Sequence, residues 1–364
     1  MQYSSKEIMG NSTSKEETGC ANFRIAHRDG DVEVAELCGN RIRVKLLPHR
    51  PDLYIPRRDC ETGFPLNLIE LILEEYGYAW LCDVIARHED PDHVNRLILR
   101  QLFAYFSPLE FVGKRLLDFG CGSGASSFSM ASILPDTEII GVDINQSALE
   151  IAEKIKSYRS LANVRFFNSA TGVSLPRRLG SFDFVMLSAV YEHLLPAERK
   201  IVMPQIWSVM KAGAVLFVNA TPHRYFPYEH HSTGLWFINY LPDRLTYLAA
   251  RKFARHNRSV NKSRDWTEHL RGGIRGGTER GIIGDLSRGS DQKAEILQPS
   301  QEGLRNRADY WLSLVTPGRH RLSKRLLWYL FRLTDRSFDT LLTVNVDVAI
   351  RKGREPTSLE IVGL

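Results

Sequence analysis

Between Lys114 and Asn219 five short apolar runs are separated by stretches of helical spacing. The runs are Arg115–Phe119, Glu138–Val142, Val164–Phe167, Phe182–Leu187 and Ala214–Asn219. Near-continuous apolar strands alternating with helices predict an α/β fold, a parallel sheet with helices on both faces. In such a sheet ligands meet the carboxyl ends of the strands. One helical stretch contains Ser147-Ala-Leu-Glu150, a capping-box pattern that places a helix start at Ser147.

The first run leads into Gly120-Cys121-Gly122-Ser123-Gly124-Ala125, a glycine-rich turn between strand and helix. Glycine is needed where a side chain would keep a ligand off the backbone. Asp143 closes the second strand, where a carboxylate can accept from both hydroxyls of a ribose. Two nucleotide-type ligands fit this pattern. Gly120-x-Gly122-x-x-Ala125 satisfies the dinucleotide fingerprint. Asp118, two residues ahead of the first glycine, argues the other way. A carboxylate repels a pyrophosphate and attracts an ammonium group. S-adenosylmethionine has the ammonium and the ribose and carries no phosphate.

Four segments in order then resemble the class I S-adenosylmethionine-dependent methyltransferases, of the small-molecule type related to quinone biosynthesis. They are Leu117–Gly124, Gly141-Val-Asp-Ile144, Phe182–Leu194, and Met210-Lys-Ala-Gly213 before the fifth strand. The resemblance covers about 110 residues, 114–220. It implies a Rossmann-like, doubly wound, mostly parallel seven-stranded sheet, with an N-terminal extension and an α-helical and loop insertion before the last strands. It implies S-adenosylmethionine as methyl donor, with the methionine moiety held by the backbone of Gly120, Cys121, Gly122 and Gly124 and with Asp118 near its amino group. Asp143 would take the ribose, Ile144 would pack on the adenine, and Ser188 would border the donor. Ser169 stands where the family often has Asp to receive the adenine amino group. Lys211-Ala-Gly-Ala214 replaces the usual Lys-Pro-Gly-Gly turn.

Methyl transfer from a sulfonium is an in-line displacement, so aligning the acceptor is much of the task. An oxygen acceptor also needs a base, and near neutral pH that base is most naturally His. His193 follows the fourth strand. His231 lies in Thr221–His231, a stretch dense in His and aromatic residues after the fifth strand. These two are the candidate catalytic residues, each also readable as a packing histidine. The fourth strand ends Ser188-Ala-Val-Tyr191 and lacks the Asn/Asp-Pro-Pro-aromatic motif of enzymes that methylate adenine or glutamine nitrogens. Glu229, His230 and His231 are adjacent, and adjacent residues rarely converge on one ion, so no metal is assigned.

The net charge of +6 is unevenly placed. Residues 251–336 hold 19 Lys/Arg against 9 Asp/Glu, a balance of +10, which leaves −4 for the rest. An acceptor that is a small molecule, a saccharide or a lipid-linked precursor is expected. The alternative is an RNA-binding protein or RNA methyltransferase using 251–336, where Arg271-Gly-Gly-Ile-Arg275-Gly-Gly resembles an RGG tract. A non-catalytic Rossmann-like scaffold is a weaker alternative. The stretch 319–336 pairs Arg and Lys with a Leu, Trp328 and Phe331 stripe, as a helix lying on an anionic membrane surface would. Five cysteines without a Cys-x-x-Cys pair, and a polar start with no apolar core, point to a cytoplasmic protein, with a peripheral place at the membrane surface as the variant the basic helix allows. The expected organisation is a disordered tail (1–20), an N-terminal β-hairpin with helices (21–110), the donor-binding core (111–222), a substrate-side insertion with the basic segment (223–336), and a last strand (337–352).

Overall fold

The computed structural model describes residues 22–37, 39–254, 265–315, 321–338 and 340–353. The expected tail, Cys20, Cys38 and Arg319 lie outside them. The chain divides at Asp90–Pro91 into two compact units.

In the first, β1 (Asn22–His27), β2 (Gly30–Leu37), β3 (Arg41–Pro48) and β4 (Asp59–Thr62) form an antiparallel sheet in that order. Helices α1 (Leu66–Tyr76) and α2 (Leu81–Glu89) follow. Val32, Val34, Val44 and Leu46 alternate with outward charges and are buried, as a half-buried sheet requires. The sequence predicts only the β2–β3 hairpin. β1 offers just Phe23, Ile25 and the small Ala26 as apolar residues, too weak a pattern to register as a strand. Cys60 and Cys82 are free thiols buried in this unit.

The second unit opens with α3 (Pro91–Tyr105), which the sequence grouped with the N-terminal block. Then come β5 (Arg115–Phe119), α4 (Ala125–Ile133), β6 (Glu138–Asp143), α5 (Gln146–Arg159), β7 (Val164–Asn168), β8 (Phe182–Ser188), α6 (Pro196–Val209) and β9 (Met210–Pro222). After them run β10 (Tyr228–Glu229), β11 (Leu235–Trp236), α7 (Asp243–Phe253), α8 (Trp266–Arg271), α9 (Glu279–Leu286), β12 (Ala294–Ile296), α10 (Arg307–Leu314), α11 (Arg321–Phe338) and β13 (Asn345–Lys352). The seven-stranded sheet has the order β12-β13-β9-β8-β5-β6-β7. Strands β5 to β9 pair in parallel, while β13 and β12 are antiparallel additions at one edge. This is the Rossmann-like, doubly wound architecture expected. Its order reverses beside β5, so the switch point sits above the β5 carboxyl end.

The core is built from β-strand residues such as Leu117, Ile140, Val185, Leu187, Leu216 and Val348, with Val202, Met203 and Ile206 of α6 and Ile282 and Leu286 of α9 closing it. The helix start expected at Ser147 is corrected: α5 begins at Gln146, and the Asn145 side chain accepts from the Ala148 N–H. Asn is as good a cap as Ser, and it comes first in the chain.

Three arginines of the basic segment have structural partners. Arg307 is fully buried; its guanidinium binds Asp335 and reaches Glu279 at 3.1 Å, joining α9, α10 and α11. Arg275 is buried too, held by the Asn239 and Leu241 carbonyls and by Asp243. Arg271 pairs with Glu198 of α6. No helix among the described residues is long and apolar enough to cross a membrane.

Candidate functional site

The β5 strand delivers the chain into the glycine turn at the switch point. Gly120 has φ +80° and Gly124 φ +85°, the left-handed region that side chains resist. A Cβ on Gly120 would come within 2.4 Å of Val190, so the turn after β8 packs directly on the glycine turn. The backbone N–H of Gly120 donates to the Val142 carbonyl at 2.7 Å, fastening the turn to β6.

Asp118 is buried, and its Oδ2 accepts from the Ser126 and Ser127 hydroxyls, each at 2.6 Å. Burial pushes its carboxyl up to about 6 despite those two donors, and the nearby Asp143 adds to the rise. Asp118 therefore lies behind the turn, beneath the first turn of α4. Its charge can be felt through the turn, while its side chain offers no surface for contact. Cys121 is buried as well, and burial raises its thiol well above the ordinary range, so only its backbone is available.

Asp143 ends β6 partly exposed. Its Oδ2 accepts from the Gly122 N–H at 2.7 Å and its Oδ1 from the Asn145 N–H at 2.8 Å. Two backbone donors thus fix the carboxylate while leaving lone pairs outward. Ile144, next along, is 60% exposed, and its Cδ1 lies where a Cβ on Gly172 would fall, 2.6 Å away. Ser169 is placed otherwise than a nucleobase contact needs: it is buried, and its hydroxyl donates to the Ser174 carbonyl at 2.7 Å. Asn168, which the sequence did not single out, ties β7 to the Ile144 carbonyl at 3.0 Å.

At the carboxyl ends of β8 and β9 the chain turns through Ala189 and Ala220, both with positive φ, 53° and 58°. Such a backbone costs about 1–2 kcal/mol per non-glycine residue and persists only where the surroundings hold it. Ser188 donates to the Asn219 side chain at 3.3 Å, and Asn219 donates to Asp347 of β13 at 3.2 Å. Burial pushes the Asp347 carboxyl up to about 6. Asp347 was missed in the sequence because it reads there as one polar position in an alternating strand.

The two candidate histidines come together. After β8 a short turn, Tyr191–His193, is pinned by the Tyr191 hydroxyl donating to Asp285 at 2.9 Å. His193 Nδ1 lies 2.6 Å from the Arg271 carbonyl oxygen. A carbonyl only accepts, so Nδ1 carries the proton, and in the neutral ring Nε2 is the acceptor atom. The His193 and His231 ring centroids are 5.5 Å apart. His231 reaches this place because buried Glu229 shapes its loop. That carboxylate accepts from the backbone N–H groups of His231, Ser232 and Thr233 and from the Ser232 and Thr233 hydroxyls. Burial and the neighbouring His193 push His231 down to about 4, which keeps it neutral at pH 7. Glu192, absent from the sequence expectations, completes the group. It is 1% exposed, with Oε2 accepting from the Thr221 hydroxyl at 2.9 Å. The RGG-like tract closes the site from behind. A Cβ on Gly273 (φ +82°) would fall 2.8 Å from His231 and 3.1 Å from Glu192, so this tract serves the packing of the site.

Residues 116–213 match the model of a methyltransferase domain. This core is a class I S-adenosylmethionine-dependent methyltransferase domain. Among curated proteins it is similar to a demethylmenaquinone methyltransferase of Lactococcus lactis, 28% identical over 36% of this chain and 52% of that one. A ubiquinone biosynthesis O-methyltransferase of Paraburkholderia phymatum is 33% identical over 30% of this chain and 46% of that one. The chain thus spans about half the length of these relatives. Among solved structures, an S-adenosylmethionine-dependent methyltransferase from Clostridium acetobutylicum is 15% identical, covering 42% of this chain and 60% of that one, with a TM-score of 0.33. The match is to a family that uses S-adenosylmethionine, which favours that ligand over a dinucleotide.

Proposed function

We propose that the protein transfers the methyl group of S-adenosylmethionine to an oxygen of a small-molecule, saccharide or lipid-linked acceptor. The observation that supports this is the close packing of Val190, two residues ahead of Glu192, on Gly120 of the glycine turn, together with the convergence of Glu192, His193 and His231. On this reading the donor glycine turn and the polar group border one site. The Gly120–Gly124 backbone holds the methionine moiety, Asp143 the ribose and Ile144 the adenine. The acceptor oxygen is activated at Glu192, His193 and His231, and the described parts of residues 223–336 supply the acceptor-side walls.

Both relatives named above are methyltransferases, for demethylmenaquinone and for ubiquinone biosynthesis, which supports an acceptor of that chemistry. A lipid-linked acceptor has further support in α11. Trp328 and Phe331 face inward beside Ala308 and Leu341. Leu322, Leu326, Tyr329, Leu330 and Leu333 stand exposed on the opposite face, flanked by Arg325, Arg332 and Arg336. An exposed leucine stripe with a basic flank fits an anionic membrane surface. The protein is then cytoplasmic and peripheral.

Labelled S-adenosylmethionine and an extract of the source cell test the reading. One methylated low-mass or lipid-phase product is expected, with the ether-type methyl found by mass spectrometry. His193→Ala should lower the rate roughly 10²–10⁴-fold with S-adenosylhomocysteine affinity unchanged. A product confined to RNA, or none at all, refutes the proposal.

A further inference from the structure

Glu192 poses a problem that the hydrogen-bond pattern does not solve. Its carboxylate is at the bottom of the site, 1% exposed, and only Oε2 has a donor. Oε1 is buried and makes no hydrogen bond. The nearest basic atom, His193 Nε2, is 3.8 Å away, beyond hydrogen-bond reach. Buried carboxylate oxygens are nearly always satisfied, because leaving one bare in a low-dielectric site is expensive. A small cation seated between these atoms would satisfy Oε1.

The surroundings match that requirement. Glu192, His193 and His231 each offer one ligand atom, and the three atoms all lie within 4.8 Å of one another. His193 is already prepared as a ligand. Its Nδ1–H is held by the Arg271 carbonyl, which fixes the ring and presents the Nε2 lone pair. This is the outer hydrogen bond that metal-binding histidines usually make. Glu192 is prepared in the same way by Thr221, and the Glu229 loop turns His231 inward. Two imidazoles and one carboxylate suit a divalent transition ion such as Zn²⁺, Mn²⁺ or Co²⁺, and three protein ligands leave coordination positions open.

We infer that Glu192, His193 and His231 bind one divalent transition-metal ion, whose open positions take the acceptor oxygen. Binding of the ion stands on the geometry alone, whereas its part in methyl transfer rests on the function proposed above. The sequence argument against a metal concerned the adjacent Glu229, His230 and His231. The fold separates them: Glu229 turns to its own loop and His231 joins ligands from another strand end. On the ion, the acceptor hydroxyl would lose its proton to water far more readily than in solution. The oxygen lone pair then forms the O–CH3 bond as the S–CH3 bond breaks. The breaking pair goes to sulfur, leaving methylated acceptor, S-adenosylhomocysteine and the released proton. His193 and His231 act here as ligands, which replaces the role of a free base for either one.

The test uses the untagged full chain, stripped with a chelator and dialysed. Zn²⁺ and Co²⁺ are titrated separately by calorimetry, metal content is read by mass spectrometry, and the Co²⁺ form is examined for visible absorption. One ion per chain is expected, with a rise in melting temperature. Glu192→Gln and His231→Ala should each weaken binding at least roughly a hundredfold, while S-adenosylhomocysteine affinity stays near wild type. Glu192→Gln keeps the side-chain shape, and the chelation arm needs no variant, so a misfolded variant cannot decide the matter. Failure of the wild type to bind either ion, or full stoichiometry in both variants, overturns the inference. Metal binding without methyl transfer would uphold the site and refute the proposed function. Methyl transfer that survives complete stripping would do the reverse.

Discussion

Donor affinity should depend on the protonation of Asp118. Burial holds that carboxyl at about 6 in the free protein, against 3.8 for an ordinary aspartate. A cationic amino group arriving at the glycine turn favours the carboxylate, so binding should drive off whatever proton Asp118 still holds. If the bound form titrates below pH 5, affinity between pH 7 and pH 5 should fall about tenfold, and about half a proton should leave at pH 6. Calorimetry with S-adenosylhomocysteine in buffers of different ionisation enthalpy reads both quantities. Asp118→Asn, which can still accept from Ser126 and Ser127, should bind more weakly at pH 7 and show little change down to pH 5. The sign for stability is opposite. A carboxyl whose folded pKa is raised binds more protons when folded. Its contribution to stability is therefore greatest below about pH 4 and is lost as pH rises through about 6, a difference of about 3 kcal/mol. The free Asp118→Asn protein should lose that slope. Equal pH dependence of donor affinity in wild type and variant would refute the electrostatic role given to Asp118.

Asp143→Ala should weaken donor binding roughly ten- to hundredfold and also lower the melting temperature, because the Gly122 and Asn145 N–H groups lose their acceptor; calorimetry and thermal unfolding check the two parts. Ser169→Ala should cost about 1 kcal/mol of stability through the lost bond to Ser174 and leave donor affinity within about twofold, measured the same way. Leu326→Glu together with Leu330→Glu should abolish sedimentation with anionic phosphatidylglycerol vesicles while leaving the thermal unfolding curve unchanged, since both side chains are exposed.

The parallel core was legible because each of its signals is local. Apolar runs, helical spacing and a glycine turn at a strand end are written within a few residues of one another, and the donor-side positions follow from them. Even there, local pattern misassigned two hydroxyl residues. Ser147 had the right spacing for a cap, but Asn145 sits two residues earlier and takes the role. Ser169 stands where the family resemblance implies an adenine contact, yet the β7 turn uses its hydroxyl internally. The basic segment was not legible for a different reason. Charge counts do not reveal partners, and Arg271, Arg275 and Arg307 each meet carboxylates from distant elements.

The Glu192–His193–His231 group was half legible, and the missing half is instructive. His193 and His231 stood out because histidine is uncommon and each follows a strand end. Glu192 did not, since one Glu in a turn is ordinary. Its importance comes from contacts 29 residues apart with Thr221, from the 3.8 Å separation to His193, and from the close approach permitted by Gly273. Three separate chain segments had to converge before this carboxylate could be seen as buried and half-satisfied. The RGG-like tract shows the same thing from the other side. Its glycines read as a flexible RNA-binding pattern while the chain is linear. In the fold, Gly273 is where backbone must pass beside His231 and Glu192, and the Arg271 carbonyl sets the tautomer of His193. Replacing Gly273 by Ala should therefore damage the site without touching any ligand atom. The added methyl pushes on both His231 and Glu192, so methyl transfer should fall while S-adenosylhomocysteine affinity, governed by the β5–β6 side, stays near wild type. An RNA-binding role for the tract predicts the opposite, unchanged methyl transfer to a small acceptor with weakened affinity for RNA at low salt, and that outcome would refute the packing role assigned to Gly273.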